Sequence, residues 1–118
     1  MIDRAWADEF AREWAANWNA RDVEAVLAHF AADVVFRSPR IAAVHGAGRF
    51  SVTGIAALRD YWVKALAANP DLRFEVLKVG VGGDALTIYY RNQRGVEVAE
   101  TLVFGGDGKA SAGVVTHF

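Results

Sequence analysis

The chain has 118 residues, 53% of them hydrophobic and 12% aromatic, with a formal net charge of −1. That length fits one domain, residues 1–118, with a core of its own, and that composition excludes a disordered segment. Both charge signs are spread along the chain with no basic stripe, which argues against nucleic acid as a partner. The absence of cysteine excludes a disulfide framework and fits a cytoplasmic setting.

The opening MIDRAWADEF is too charged for a secretory leader, and no segment approaches membrane-spanning length, so no membrane partner is expected. Ile2, Trp6, Phe10, Trp14 and Trp18 recur every four residues and predict a first helix with an aromatic stripe facing the core. Asp22 can cap a second helix whose Val23, Val26, Leu27 and Phe30 share a face. Val34 to Phe36 reads as a short strand stopped by Ser38-Pro39. Residues 40–52 lack a period and read as a loop with one strand-like piece. Thr53 is the expected N-cap of a third helix, with Ile55, Leu58, Trp62, Ala65 and Leu66 on its buried side and Asn69-Pro70 ending it.

From Leu72 the hydrophobic period becomes two. Strands are expected at Leu72–Val79, Ala85–Arg91, Val96–Phe104 and Lys109–Phe118, separated by turns that hold seven of the eleven glycines. Helices followed by an antiparallel meander make an α+β domain. So apolar a chain of this size implies either an internal cavity or a subunit contact.

Glu100 is the residue that stands out. Alternation sets Val96, Val98, Glu100, Leu102 and Phe104 on one face, so a carboxyl group lies among four apolar neighbours. Such a group must be paired, hydrated or protonated, and perturbed carboxyls mark functional sites often enough to make it the first candidate. If the Asn92–Gly95 turn is symmetric, Thr87 lies opposite Glu100, with Tyr89 and Arg91 on the same side. A shift of one residue puts Leu86, Ile88 and Tyr90 there instead. An Arg91 neighbour would make Glu100 half of a structural ion pair, and a tyrosine would make it part of a hydrogen-bond network.

Three stretches in this order, WNARDVEAVLAHFAADVVFRSP, TGIAALRDYWVKAL and EVAETLVFGGDGKASAGVVTHF, resemble the SnoaL-like branch of the nuclear transport factor 2-like superfamily. The resemblance spans the chain and rests on pattern and spacing, so it speaks to fold more than to activity. It implies three N-terminal helices packed in a strongly curved antiparallel sheet, a cone enclosing an apolar pocket, and a homodimer through the outer sheet face. Compared with ketosteroid isomerase, a member of that superfamily, Glu100 resembles the protonated acid of the oxyanion hole, a carboxyl kept neutral by its apolar site. Trp14 falls where that enzyme has a tyrosine, and Ser38, before Pro39, falls where it has its base. A serine cannot take a carbon-bound proton unaided and an indole only donates, so the isomerase reaction itself is not expected.

The remaining candidates have plainer readings beside them. Trp14, Phe30, Phe36 and Trp62 are pocket walls if the cone is hollow and ordinary core if it is not. His117 is a proton shuttle if it faces the pocket and a rim or dimer-facing residue otherwise. Arg40, His45 and Arg49 could receive an anionic group or form a solvated basic loop, and Glu97 belongs to the opposite, wet or dimeric face. Three scattered histidines without cysteine make no metal set, no nucleotide-binding glycine pattern occurs, and no cofactor is expected.

The function expected is binding of a small hydrophobic molecule, with cofactor-independent acid–base catalysis of the isomerase, cyclase, dehydratase or hydrolase type. Glu100 and Ser38 would be the catalytic pair, and Trp14, Phe30, Phe36, Trp62 and His117 would bind substrate. The alternatives are a non-catalytic binding or dimerisation module and an engineered scaffold on the same fold.

Overall fold

Asp3 starts the first helix by accepting a hydrogen bond from the Trp6 N–H, and the computed structural model, which describes residues 1–118, then runs α1 over Arg4–Asn19. Its buried side is Ala7, Phe10, Ala11, Trp14 and Trp18. Trp6 is 42% exposed, because a stripe of four-residue spacing drifts around a 3.6-residue helix and its first turn leaves the core. Asp22 caps α2 (Val23–Leu27) through the Ala25 N–H, as expected. Phe30 does not belong to that helix: it opens β1 (Phe30–Arg37), where it pairs with Ala110.

The stretch after Ser38-Pro39 holds two short elements, α3 (Ile41–His45) and β2 (Ser51–Thr53). Thr53 ends β2, and the N-cap of α4 (Ile55–Ala68) is Gly54, at φ 89°. A side chain there would be strained, which is why a glycine rather than a threonine makes the turn. The remaining strands are β3 (Glu75–Val81), β4 (Ala85–Arg91), β5 (Glu97–Phe104) and β6 (Ala110–His117).

Six strands form one curved sheet in the order β2-β1-β6-β5-β4-β3. Every neighbouring pair is antiparallel except β1 and β6, which run parallel. The periodicity of either strand alone could not show that long-range pairing. Burial alternates along β4 and β5, so Leu86, Ile88 and Tyr90 share the inner face with Val98, Glu100, Leu102 and Phe104. Gly113 of β6 lies opposite Leu102, and a Cβ there would come within 2.7 Å of the Phe36 ring. The missing side chain lets Phe36 lie against the sheet. No helix is long and apolar enough to cross a membrane.

Candidate functional site

The β4–β5 turn decides what surrounds Glu100. The Asn92 N–H donates to the Val96 carbonyl, and Gly95 adopts φ 77°, giving a three-residue loop with a left-handed last position. Arg91 therefore pairs with Glu97, and Ile88, not Thr87, lies opposite Glu100. Arg91 turns to the outer side and binds Glu75 at 3.1 Å. The ion-pair reading of Glu100 fails on that register, and the tyrosine that joins its face is Tyr90.

Glu100 is 5% exposed and its Oε2 has no hydrogen-bond partner. Burial pushes its pKa up to about 8, with a smaller opposing pull from the nearby indole of Trp14. The indole and carboxyl do not reach hydrogen-bond geometry, and Trp14 Nε1 is itself unpartnered. At pH 7 the neutral acid is in roughly tenfold excess. In that form the carboxyl carries an O–H that can donate a hydrogen bond.

A half-open cleft of about 100 Å³ reaches Glu100 from the end of the sheet. Its apolar wall includes Trp18, Phe36, Trp62, Phe74, Val98 and Val115. Phe36 and Trp62 are held edge to face, with ring centroids 5.5 Å apart. Trp14 and Phe30 do not line the cleft. Trp14 lies behind it, stacked on Phe74 at 5.3 Å and against Tyr90 at 4.9 Å, while Phe30 supports Trp62 at 5.2 Å.

Ser38 lines the cleft at the end of β1 and is 5% exposed. Its Oγ accepts the Arg40 N–H at 3.3 Å, a local bond that the Ser-Pro turn provides. Tyr61 of α4 and Tyr90 of β4 also line the cleft. Burial raises both pKa values, Tyr90's strongly; for Tyr61 the neighbouring Ser38 hydroxyl partly offsets that rise, and the charge of Glu100 adds to both. The inner cleft thus offers neutral O–H donors and no cation beside the carboxyl.

His117 pairs with Val98 and shares its face, so its imidazole joins the mouth of the cleft. Partial burial lowers its pKa first, and Arg40 and Arg94 lower it further, leaving a neutral imidazole with a free lone pair at neutral pH. Glu100 sits diagonally across from it on β5, a relation that separates residues by about 7–8 Å. The basic loop divides. Arg40 lines the mouth, whereas His45 lies 4.0 Å from Asp60 and neither it nor Arg49 lines the cleft.

Sequence reasoning missed Tyr61, Tyr90, Arg94 and Asn69 as lining residues. Tyr90 was signalled by its phase with Leu86 and Ile88 once the loop length is known. Arg94 carries no periodic signal, because it stands in the turn itself.

A family model described as a SnoaL-like domain matches residues 11–117. The chain belongs to the SnoaL-like family. A SnoaL-like protein of unknown function from Burkholderia thailandensis is 33% identical, with a TM-score of 0.92 over 100% of this chain and 99% of that one. Two more distant structures show the shared fold. One is a putative polyketide cyclase from Sinorhizobium meliloti, 18% identical with a TM-score of 0.74, covering 92% of this chain and 94% of that one. The other is SalBIII, an epoxide hydrolase/cyclase-like enzyme of pyran ring formation in the polyether salinomycin. It is 18% identical with a TM-score of 0.77, covering 100% of this SnoaL-like chain and 95% of its own. No curated protein matches the chain.

Proposed function

We propose that the cleft binds a small organic molecule and that Glu100 is the acid of a cofactor-independent acid–base reaction. The observation that carries this is a buried carboxyl whose Oε2 has no partner within the protein, and burial favours its protonated form. A ligand carbonyl, epoxide or hydroxyl oxygen would complete it, and transfer of the Glu100 proton to that oxygen would balance charge developing there. The proton released from the ligand would go to the neutral imidazole of His117, with the Ser38 and Tyr61 hydroxyls orienting the oxygen. Ring closure, isomerisation, dehydration and epoxide opening all fit this pairing of acid and base. The cyclase descriptions of two distant relatives support that range.

A second reading, a binding module without catalysis, is favoured by Ser38, whose hydroxyl has no base beside it. Proton–deuterium exchange next to the carbonyl of cyclopentanone, followed by NMR, separates the two. The catalytic reading expects exchange above the buffer rate and a loss of about 10²–10⁴-fold in Glu100→Gln. Cyclopentanone bound without exchange, or exchange that Glu100→Gln leaves unchanged, supports the binding module.

The outer sheet face is the proposed homodimer surface. Its support is the exposed apolar surface of Val114, 43% accessible on the interior strand β6, and of Phe118, 74% accessible just after that strand. Sedimentation should show a dimer that Val114→Arg dissociates; a monomeric parent protein would remove the proposal.

A further inference from the structure

The mouth of the cleft carries charge that its interior does not. Arg40 and Arg94 both line it, and neither takes part in any ion pair of the molecule. The two come from opposite sides: Arg40 follows the Ser38-Pro39 turn, and Arg94 projects from the β4–β5 turn. The Arg40 N–H donates to Ser38 Oγ, and Arg94 Nη2 donates to Asn69 Oδ1 at 2.9 Å. The Arg40 bond fixes only its backbone, whereas the Arg94 side chain is held from the end of α4. Asn69 is itself fixed to the end of α4 through the Ala65 carbonyl at 2.8 Å. One nitrogen of the Arg94 fork is therefore used for positioning, and the others remain free to donate.

Both arginines line the cleft together with His117, and each helps to lower the pKa of that imidazole. The sole carboxyl among the lining residues is Glu100, which is neutral at pH 7 and lies inward. Two cations at the mouth without an ion-pair partner, above a chamber of neutral O–H donors, form a polarised site. A chamber of about 100 Å³ is also too small for a drug-sized ligand. It admits a short group, and the rest of the molecule must lie at the mouth.

We infer that the ligand is a small oxo-acid, with a carboxylate held between Arg40 and Arg94 and a carbonyl oxygen reaching inward to Glu100. This rests on the reading of Glu100 as a proton donor for its inner end, while the outer end stands on the two arginines alone. The orientation follows from charge. A carboxylate at the inner end would face a buried apolar wall with no cation, and a ketone at the mouth would leave both guanidinium groups unanswered.

The test is titration of pyruvate and levulinate, each against its methyl ester, at low salt. Binding is read from the fluorescence of Trp18 and Trp62, which line the cleft. At least one acid should bind roughly tenfold or more tightly than its ester, the return expected when a charge-assisted bond is lost. Added salt should narrow the gap. In the double variant Arg40→Gln/Arg94→Gln the acid should fall to the level of the ester, while the ester is unaffected. Arg94→Lys, which keeps the charge and loses the fork, should fall between them.

Esters that bind as well as acids, a preference that survives the double variant, or no binding of any probe at millimolar concentration would each overturn the inference. Glu100→Leu, which removes the O–H donor without putting an amide donor in its place, separates it from the reading beneath. If ester binding ignores that substitution while acids keep their preference, the proton-donor reading fails and the arginine site stands. If ester binding depends on Glu100 and acids gain nothing, the reverse holds.

Discussion

Glu97 and Glu100 are three residues apart on one strand and occupy different physical worlds. Glu97 points outward, partly exposed, and accepts a hydrogen bond from the Tyr89 hydroxyl at 2.9 Å. Its face is a lattice of polar side-chain contacts, with the Thr87 and Thr101 hydroxyls bonded at 2.8 Å and Lys78 over the Tyr89 ring at 5.2 Å. Glu100 points inward among Ile88, Tyr90, Val98 and Leu102, and its Oε2 has no partner. The lesson is that strand parity, rather than residue type, decides which carboxyl is partnered and which is buried alone. The outer acid belongs to a satisfied surface; the inner one is left without a partner.

The sharpest way to break this contrast is through pH. An ordinary glutamate titrates near 4.5, and the folded-state value for Glu100 is about 8. Below pH 4.5 both folded and unfolded chains hold the proton. Between 4.5 and 8 the folded chain keeps a proton that the unfolded chain has lost, so stability falls as pH rises; above 8 the loss is complete. Urea unfolding should therefore show a decline on the order of 4 kcal/mol between pH 5 and pH 9 that is absent in Glu100→Gln. Parallel pH profiles for the two proteins would mean that water reaches the carboxyl.

The next largest effect tests the inner face sterically. Gly113→Ala must displace the Phe36 ring or the strand, because the added carbon would stand 2.7 Å from that ring. A loss of about 1–3 kcal/mol is expected from overpacking, with a change in probe binding as Phe36 moves into the cleft. Val114→Ala, one residue along and on the outer face, should change the stability of the monomer by no more than about 0.5 kcal/mol. Equal effects at the two positions would contradict the division of faces.

How much of this the sequence could show depends on the range of the interaction. The alternation that sets Glu100 inward is local, and reading every second residue of β5 gives the correct face. The cap at Asp22 and the helix from Ile55 are likewise short-range. The neighbours of Glu100 were not legible, because a single left-handed residue, Gly95, converts a symmetric turn into a three-residue loop and moves Ile88 into Thr87's place. Phe30 shows another limit. Its helical spacing yields to a parallel pairing with Ala110, eighty positions away in the chain, and Trp14 loses its place as a wall because Phe74, outside any helix, stands in front of it. For that reason only Phe36 and Trp62 of the four aromatic candidates face the cleft, and Trp14 and Phe30 back them.

Smaller effects refine the outer half of the comparison. Thr101→Val removes one hydroxyl of the Thr87 pair and should cost about 0.2–1 kcal/mol, measured by urea unfolding at neutral pH. Glu97→Gln keeps an acceptor oxygen for Tyr89 and should leave neutral-pH stability nearly unchanged. A large loss from either would mean that the outer face carries a role comparable to that of the inner one.

The most direct measurement is an NMR titration of the side-chain carboxyl carbon of Glu100 in selectively labelled protein, with the resonance assigned by its disappearance in Glu100→Gln. A midpoint near 8 is the expected result, and a midpoint near 4.5, as for a glutamate in water, would contradict the account.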